Sequence, residues 1–540
     1  MRGRNRRKKF LRTSGIVLLV AIGLTATGVL LFRAVVSGKF VPDNLLEAAP
    51  DRISDTIEID LTDPLQKQVT GGVIIGYNAD TEDVQIYRGI PYAAPPVAEL
   101  RWKAPQDVVA WEGVRECFEN APNPIQGDNE IKPGEFGAET VPDPEAGYSE
   151  DCLYLNIWTN GTGTNMPVVF YIPGGAWVGG GCSVENYDGE YLASQNVVFV
   201  SINYRLGIFG WLAADVLADE DAENSTGNYG LMDIIKALEW VQENISEFGG
   251  NPDNITLYGG SAGGNLIDLL MVSPKAEGLF HKAVSMSYPL DMISPAWDKN
   301  FKTDLGNKVI PDEDALEKLR NTSVNDLMCN LSVISAYAFS GPTLDGVYLD
   351  MTFAEAVAQG RGAKIDYIAG FNYNDAIPLT ADGEATGDAA FVAMLGGTPD
   401  GATDGDVLRT VYNALAGYRA KASTANTYLL QFSHPTASPE QLGAVHGGDV
   451  QYMLNYFSFN RADYWAEDDF HMGKIASAYF INFCRNGNPN GDNLPEWEQS
   501  GGNGVYFEMN LTGGMKQMDA DKTELVENFM KQNPDCTIFD

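Results

Sequence analysis

The chain has 540 residues, of which 44% are hydrophobic, so it is long enough to bury a large core. Its formal net charge is −37; all 73 Asp and Glu lie beyond residue 40, whereas nine of the 36 Lys and Arg lie within the first 40 residues. The acidity of the remainder excludes a nucleic-acid-binding role on electrostatic grounds and favours solubility of an exported domain.

The N-terminal segment is predicted to be a membrane anchor. Seven Lys and Arg between Arg2 and Arg12 precede an uncharged run of 20 residues, 13–32, which is long enough to cross a bilayer. The basic residues should stay cytoplasmic. We therefore expect a basic cytoplasmic tail at 1–12, a transmembrane signal anchor at 13–36 and an extracellular domain at 45–540, in a single-pass protein of the cell membrane. Cleavage of the segment, giving a secreted protein, is the alternative.

The first part of the domain, residues 71–158, is predicted to be a meander of strands with proline-rich turns. Two apolar runs, 166–172 and 197–202, then predict buried strands. A helix is predicted to start near Asn228, because apolar residues recur there at spacings of three and four. This alternation of strand and helix is typical of a mostly parallel sheet.

The next strand leads into a serine that has the sequence context of a nucleophile. Residues 248–264 have the sequence FGGNPDNITLYGGSAGG, in which an apolar run ends in the G-x-S-x-G form of a nucleophile elbow around Ser261. A serine at a sharp strand-to-helix turn requires almost no side chain two residues before and after it, and Gly259 and Gly263 meet that requirement. Residues 265–271 predict a helix whose N-terminus lies beneath Ser261.

This segment resembles the serine active-site signature of the type-B carboxylesterases, the family that includes the cholinesterases and some fungal lipases. The resemblance extends from about Gly71 to Met509. It implies an α/β-hydrolase fold, with a mostly parallel central sheet flanked by helices and an N-terminal strand meander. It also implies a serine hydrolase that cleaves small-molecule carboxylic esters through an acyl-enzyme intermediate, without cofactor or metal. Some family members are non-catalytic extracellular adhesion or binding proteins, which is the alternative function.

Residues 173–177, Pro-Gly-Gly-Ala-Trp, stand where the family has its glycine-rich oxyanion loop. Acyl transfer needs backbone amides aimed at the developing negative charge, and glycines let the backbone approach closely enough. The resemblance implies that the amides of Gly175 and Ala176, together with that of Ala262 after the nucleophile, form the oxyanion hole.

A serine hydroxyl also needs a base and an acid that orients the base, and in α/β-hydrolases these follow in the order Ser, Asp or Glu, His. Residues 370–375, Gly-Phe-Asn-Tyr-Asn-Asp, follow a short apolar run and resemble the acid motif of the family. Asp375 is therefore the expected orienting acid, at a position where the family usually has Glu. Asp366 and Asp382 are the alternatives.

His446 is the expected base. It lies 71 residues after Asp375, in the sequence Gly-Ala-Val-His-Gly-Gly-Asp, which resembles the catalytic histidine loop of the family. Of the three other histidines, His281 and His471 lie in amphipathic helical patterns and His434 lies in a turn before a proline.

Two departures from the family pattern bear on substrate and stability. Gly260 occupies the position before the nucleophile where the family usually has Glu, which favours uncharged alkyl or aryl esters over choline esters. Cys152 resembles a cysteine that commonly closes a loop in the family, so the resemblance implies a disulfide with Cys117; two free, buried cysteines are the alternative. None of the six cysteines has metal-ligand spacing.

Overall fold

The computed structural model describes residues 44–127, 141–288, 297–330, 341–375, 397–435, 443–458 and 465–532. The predicted cytoplasmic tail and the predicted anchor, 13–36, lie outside these ranges, as does Asp382. Within the described residues no helix is long and apolar enough to cross a membrane.

The β-strands are numbered in chain order, and their bounds are as follows: β1 Ile53–Ser54, β2 Gln66–Val69, β3 Gly72–Ile75, β4 Tyr77–Asn78, β5 Val84–Pro91, β6 Val114–Glu116, β7 Asn123–Pro124, β8 Tyr148–Ser149, β9 Tyr154–Asn160, β10 Met166–Tyr171, β11 Val198–Ile202, β12 Gly250–Gly260, β13 Lys282–Met286, β14 Trp297–Asp298, β15 Thr343–Leu344, β16 Asp366–Asn372, β17 Thr427–Phe432, β18 Val505–Met509 and β19 Gly514–Gln517.

The α-helices are numbered in the same way: α1 Glu190–Ser194, α2 Gly207–Trp211, α3 Asp215–Glu220, α4 Tyr229–Asn244, α5 Ala262–Val272, α6 Lys299–Gly306, α7 Glu313–Arg320, α8 Val324–Asn330, α9 Phe353–Ala358, α10 Asp404–Ala422, α11 Val450–Met453, α12 Glu467–Asn486 and α13 Ala520–Met530.

An 11-stranded sheet organises the domain, in the order β19-β18-β17-β16-β13-β12-β10-β11-β9-β5-β4. The strands from β18 to β11 in this order are parallel throughout. Antiparallel pairs extend the sheet on both sides, through β19 and through β9, β5 and β4. A 4-stranded sheet, β1-β6-β3-β2, comes from the N-terminal residues. The predicted α/β fold with a mostly parallel sheet and an N-terminal strand meander is confirmed.

The central strands are buried on both faces, which explains their continuous apolar sequence. In β10, Val168 and Phe170 belong to one core cluster, whereas Val169 and Tyr171 belong to a second cluster on the opposite face. Residues of α4, α5 and α10 pack in the first cluster, and residues of α12 pack in the second. The sheet is therefore a rigid support with helices on both sides.

The loops that carry the candidate site all leave the same edge of this sheet. Because β10, β12 and β16 are parallel, their carboxyl ends lie together. The residues that follow these ends are 173–177, Ser261 and Asp375, respectively. Open α/β sheets bind their ligands at this edge.

Candidate active site

Ser261 lies at a sharp turn between β12 and α5. Its backbone has φ 57° and ψ −130°, which is a sparsely populated conformation for a residue with a side chain. The turn is close enough to β10 that a Cβ on Gly263 would lie 2.2 Å from the Ile172 carbonyl oxygen, and one on Gly259 would lie 2.7 Å from the same atom. The Ser261 amide donates to the Met286 carbonyl at 2.9 Å. The predicted elbow and both of its glycine requirements are present.

The loop 173–177 lies directly against this turn. A Cβ on Gly174 would be 3.2 Å from the Cβ of Ser261 and 2.8 Å from the Gly260 carbonyl oxygen. Ala176 and Trp177 have positive φ values of 53° and 61°, which are uncommon for non-glycine residues and are typical of functional turns.

Three amides near Ser261 are available to a ligand. No hydrogen bond between described residues uses the amides of Gly175 or Ala176 as donors, and the amide of Ala262 is the first of α5, where no intrahelical acceptor exists. These three groups are those that the sequence predicted for an oxyanion hole. The N-terminal end of α5 adds a positive partial charge at the same place.

His446 and Asp375 are hydrogen-bonded to each other. The distance from His446 Nδ1 to Asp375 Oδ1 is 2.6 Å, and both side chains are buried. The other carboxylate oxygen of Asp375 accepts from the Asn372 amide at 3.2 Å. A parallel bridge between Asn374 and Val445 aligns the two loops that carry the pair. The predicted acid and base therefore meet, although 71 residues separate them in the chain.

Asp449, three residues after His446, ties the candidate loops together. Its Oδ2 accepts from the Tyr258 hydroxyl at 3.1 Å, and its Oδ1 accepts from the Asn372 side-chain amide at 2.9 Å. Burial raises the pKa of Asp449, and the hydrogen bonds from Asn372 and Tyr258 oppose that rise. One carboxylate thus contacts both the strand that precedes Ser261 and the strand that precedes Asp375. Sequence reasoning missed this role because neither Tyr258 nor Asn372 has a local signature.

Asp366 and the three other histidines do not come to this place. Asp366 lies at the amino end of β16, where it accepts from the Asn426 amide at 2.9 Å. His281 directly precedes β13, so the prediction that it lies in a helix is wrong. His434 is buried and pairs with Asp469 at 3.0 Å, and Tyr452 donates to the same Asp469 oxygen at 2.6 Å. His471 is exposed on α12, as expected for a surface residue.

The sequence model of the carboxylesterase family matches residues 63–389 and 402–526. The chain belongs to the carboxylesterase family. Cocaine esterase from Homo sapiens is 30% identical over 511 residues, which are 84% of this chain and 89% of that protein. Fumonisin B1 esterase from Sphingopyxis macrogoltabida is 36% identical over 323 residues, 58% of this chain and 57% of that protein. Liver carboxylesterase 1 from Oryctolagus cuniculus is 28% identical over 521 residues, 84% of this chain and 90% of that protein.

A solved structure of a PNB esterase superposes with a TM-score of 0.69 and 24% identity, covering 85% of this chain and 99% of that one. This likeness supports the α/β-hydrolase fold. Together, the family match and the esterase relatives identify the chain as a carboxylic ester hydrolase.

Two features distinguish this carboxylesterase from the expected family pattern. A Cβ on Gly260 would meet nothing closer than the Met286 carbonyl oxygen at 3.8 Å, so the space beside the nucleophile is open. Cys117 and Cys152 are both free and buried, so the disulfide that the resemblance implied is wrong and the alternative of two free cysteines holds. Burial raises the pKa of the Cys117 thiol to about 12.

Proposed function

We propose that Ser261, His446 and Asp375 form the catalytic triad of this carboxylic ester hydrolase, with the amides of Gly175, Ala176 and Ala262 as the oxyanion hole. The observation that carries the proposal is the buried His446–Asp375 hydrogen bond of 2.6 Å on loops that Asp449 ties to the strand of Ser261. A carboxylate at Nδ1 fixes the tautomer that leaves Nε2 able to accept a proton.

In this mechanism Ser261 Oγ attacks the ester carbonyl carbon while its proton passes to His446 Nε2. The carbonyl oxygen becomes an oxyanion that accepts hydrogen bonds from the three amides. His446 then gives the proton to the leaving alcohol as the C–O bond breaks, which leaves an acyl-enzyme. Water, deprotonated by His446, attacks the acyl group and releases the carboxylic acid and the free serine.

The Ser261→Ala variant tests the nucleophile. We expect it to lose hydrolysis of p-nitrophenyl acetate by on the order of 10⁴-fold or more, because the acyl-enzyme can no longer form. A fluorophosphonate probe should label the wild-type protein and fail to label the variant. Wild-type protein that resists the probe would instead support a non-catalytic adhesion or binding protein.

We further propose uncharged alkyl or aryl esters as the substrate class. Gly260 places no carboxylate beside Ser261, so a cationic leaving group lacks one electrostatic partner. Turnover of phenyl acetate should therefore exceed that of acetylcholine at equal concentration. A preference for acetylcholine would contradict this assignment.

For localisation we propose a single-pass membrane protein, anchored by residues 13–36 and with the catalytic domain outside the cell. The proposal rests on the basic cluster and the 20-residue uncharged run in the sequence. N-terminal sequencing of the mature protein should find the anchor retained. A mature start near residue 40 would mean cleavage and secretion.

A further inference from the structure

Lys302, on α6, is a fully buried amine. Its Nζ donates to the Gly341 carbonyl, and among the described residues it forms no ion pair. Burial lowers the pKa of Lys302 to about 7, and no neighbouring charge contributes to this shift. An ammonium held away from water without an opposite charge opposes folding. Costly groups of this kind concentrate at functional sites.

The acceptor, Gly341, packs against the ring of Trp177. A Cβ on Gly341 would lie 3.4 Å from Cε3 and 3.5 Å from Cδ2 of that indole. Two residues further on, Thr343 exchanges two hydrogen bonds of 2.8 Å with the side chain of Asn228. The backbone beside Trp177 is thus fixed by Asn228 at Thr343 and by Lys302 at Gly341.

Trp177 is the last residue of the loop 173–177. Its carbonyl accepts from the Gly207 amide at 2.8 Å and from the Trp211 indole at 3.2 Å, so its backbone is held from the side of α2. Its ring is held by Gly341 and by a perpendicular contact with the ring of Tyr288, with the two ring centroids 5.8 Å apart. Because φ of Trp177 is 61°, the ring contacts maintain a backbone conformation that the residue does not favour by itself.

We propose that Lys302 is a positioning residue for the oxyanion hole, acting through Gly341 and the Trp177 ring to hold the amides of Gly175 and Ala176 beside Ser261. The proposal rests on the proposed function of those amides. Oxyanion donors act only when they are already aimed at the developing charge, so a shift of a fraction of an ångström lowers kcat. Lys302 does not touch the substrate in this role.

The charge state of Lys302 gives the proposal a pH signature. Among the described residues no charged side chain contributes to the lowered pKa of Lys302, and burial is its single cause. Below about pH 7 the ammonium donates a charge-assisted bond to Gly341, and above it the neutral amine donates a weaker one. We expect kcat to fall above about pH 7, as Lys302 loses its proton.

Stability should respond in a different way from activity. The pKa of Lys302 in the folded protein is about 7, below its ordinary value of 10.5, so the unfolded chain binds the proton more tightly. Lys302 therefore destabilises the fold fully below about pH 7, and this effect fades as the pH rises towards 10.5. Replacing the amine with an apolar side chain of similar length should raise the Tm at pH 7 or leave it unchanged.

The test compares Lys302→Met with Lys308→Met in the full chain. Lys308 is exposed just beyond the same helix, so its removal is a matched loss of one positive charge. For Lys302→Met we expect about a 10-fold loss of kcat with unchanged KM, equally on phenyl acetate and on an anionic succinate monoester. When kcat of Lys302→Met is measured against pH, the decrease above neutral pH should be absent. Lys308→Met should match the wild type in kcat, KM and pH profile.

A Lys302→Met variant with the wild-type kcat and pH profile would overturn the proposal. So would a rise in KM confined to the anionic ester, because it would mean that Lys302 binds substrate charge. Gly341→Ala gives a second test, since a φ of 83° strains any residue with a side chain and so disturbs the backbone that contacts Trp177. This substitution should lower kcat less in the Lys302→Met background than in the wild type, and additive effects would count against coupling. Failure of the fluorophosphonate probe to label the wild type would refute the triad itself, which separates the two proposals.

Discussion

Ser261 is held in a strained backbone conformation by neighbours that have almost no side chain of their own. Gly263 and Gly259 each approach the Ile172 carbonyl too closely for a Cβ, whereas Gly260 has open space around the position of its missing Cβ. Contact with the residue that follows β10 therefore requires glycine at positions 259 and 263, but not at position 260. The same close contact lets the loop 173–177 reach Ser261.

At Asp375 we predict a large catalytic effect from a single atom change. Asp375→Asn replaces the acceptor at His446 Nδ1 with a group that can donate, which favours the wrong imidazole tautomer. We expect kcat to fall by about 10⁴-fold with little change in KM, measured on p-nitrophenyl acetate. Asp366→Asn is the control, because that carboxylate lies at the opposite end of β16 and should leave kcat unchanged. The reverse pattern would transfer the acid role to Asp366.

At the scale of elements, the Tyr258–Asp449 hydrogen bond joins the strand before Ser261 to the loop that carries His446. Tyr258→Phe removes the hydroxyl and leaves one oxygen of a buried carboxylate without that donor. An unsatisfied buried group costs on the order of 1–3 kcal/mol of stability. Here that group is the carboxylate of Asp449, three residues after His446. We predict a loss of stability together with about a 10-fold loss of kcat, measured by thermal unfolding and by ester hydrolysis.

Tyr367→Phe is the matched control for this prediction. Tyr367 also donates to a buried carboxylate, Asp268 on α5, at 2.8 Å, and it lies in the same sheet at the amino end of β16. Both variants should lose similar stability, but only Tyr258→Phe should lose kcat. Equal effects on kcat would show that the sheet as a whole, and not the link to Asp449, positions the base.

Local signals in the sequence are sufficient for β12, for α5 and for the elbow between them. The apolar run before Ser261 and the glycines around it predict β12 and α5, because both the strand and the strained turn depend on residues close in the chain. The pairing of Asp375 with His446 was predicted only through resemblance, since nothing local links residues 71 positions apart. Cys117 and Cys152 show the limit of resemblance, because both are free and buried where the resemblance implied a disulfide.

The contacts that no local pattern predicts are those made between segments. Nothing in the sequence distinguishes Lys302 from other lysines, and its burial against Gly341 depends on the fold. Tyr258 meets Asp449 across 191 residues of sequence. The sequence around His281 has an amphipathic helical pattern, but the strand β13 begins at the next residue. In each case the deciding interaction is tertiary packing, which overrides local preference.

At the scale of the whole molecule, the pH dependence of stability should reveal the buried carboxylate of Asp268, which lies on α5, the helix that follows Ser261. Burial raises the pKa of Asp268 to about 7, although Tyr367, Ser285 and Arg419 oppose that rise. Because the ordinary value is 3.8, the folded protein holds a proton that the unfolded chain has released between about pH 4 and pH 7. The contribution of Asp268 to stability therefore falls as the pH rises through this window and stays low above it.

Asp268→Asn removes this titration while keeping an oxygen that can accept from Tyr367. The Tm of the variant minus that of the wild type should increase by a few °C between about pH 4 and pH 7 and then stay constant.

For Asp406→Asn the same Tm difference should change in the opposite direction with pH. Burial alone would raise the pKa of Asp406, but hydrogen bonds from Arg409, Thr403 and Lys522 lower it to about 2, so its stabilisation is lost only as the pH falls below about 4. If both differences were flat from pH 3 to pH 8 in thermal unfolding, neither carboxylate would have the environment described, and the acid sensitivity of the fold would have to come from the exposed acidic surface.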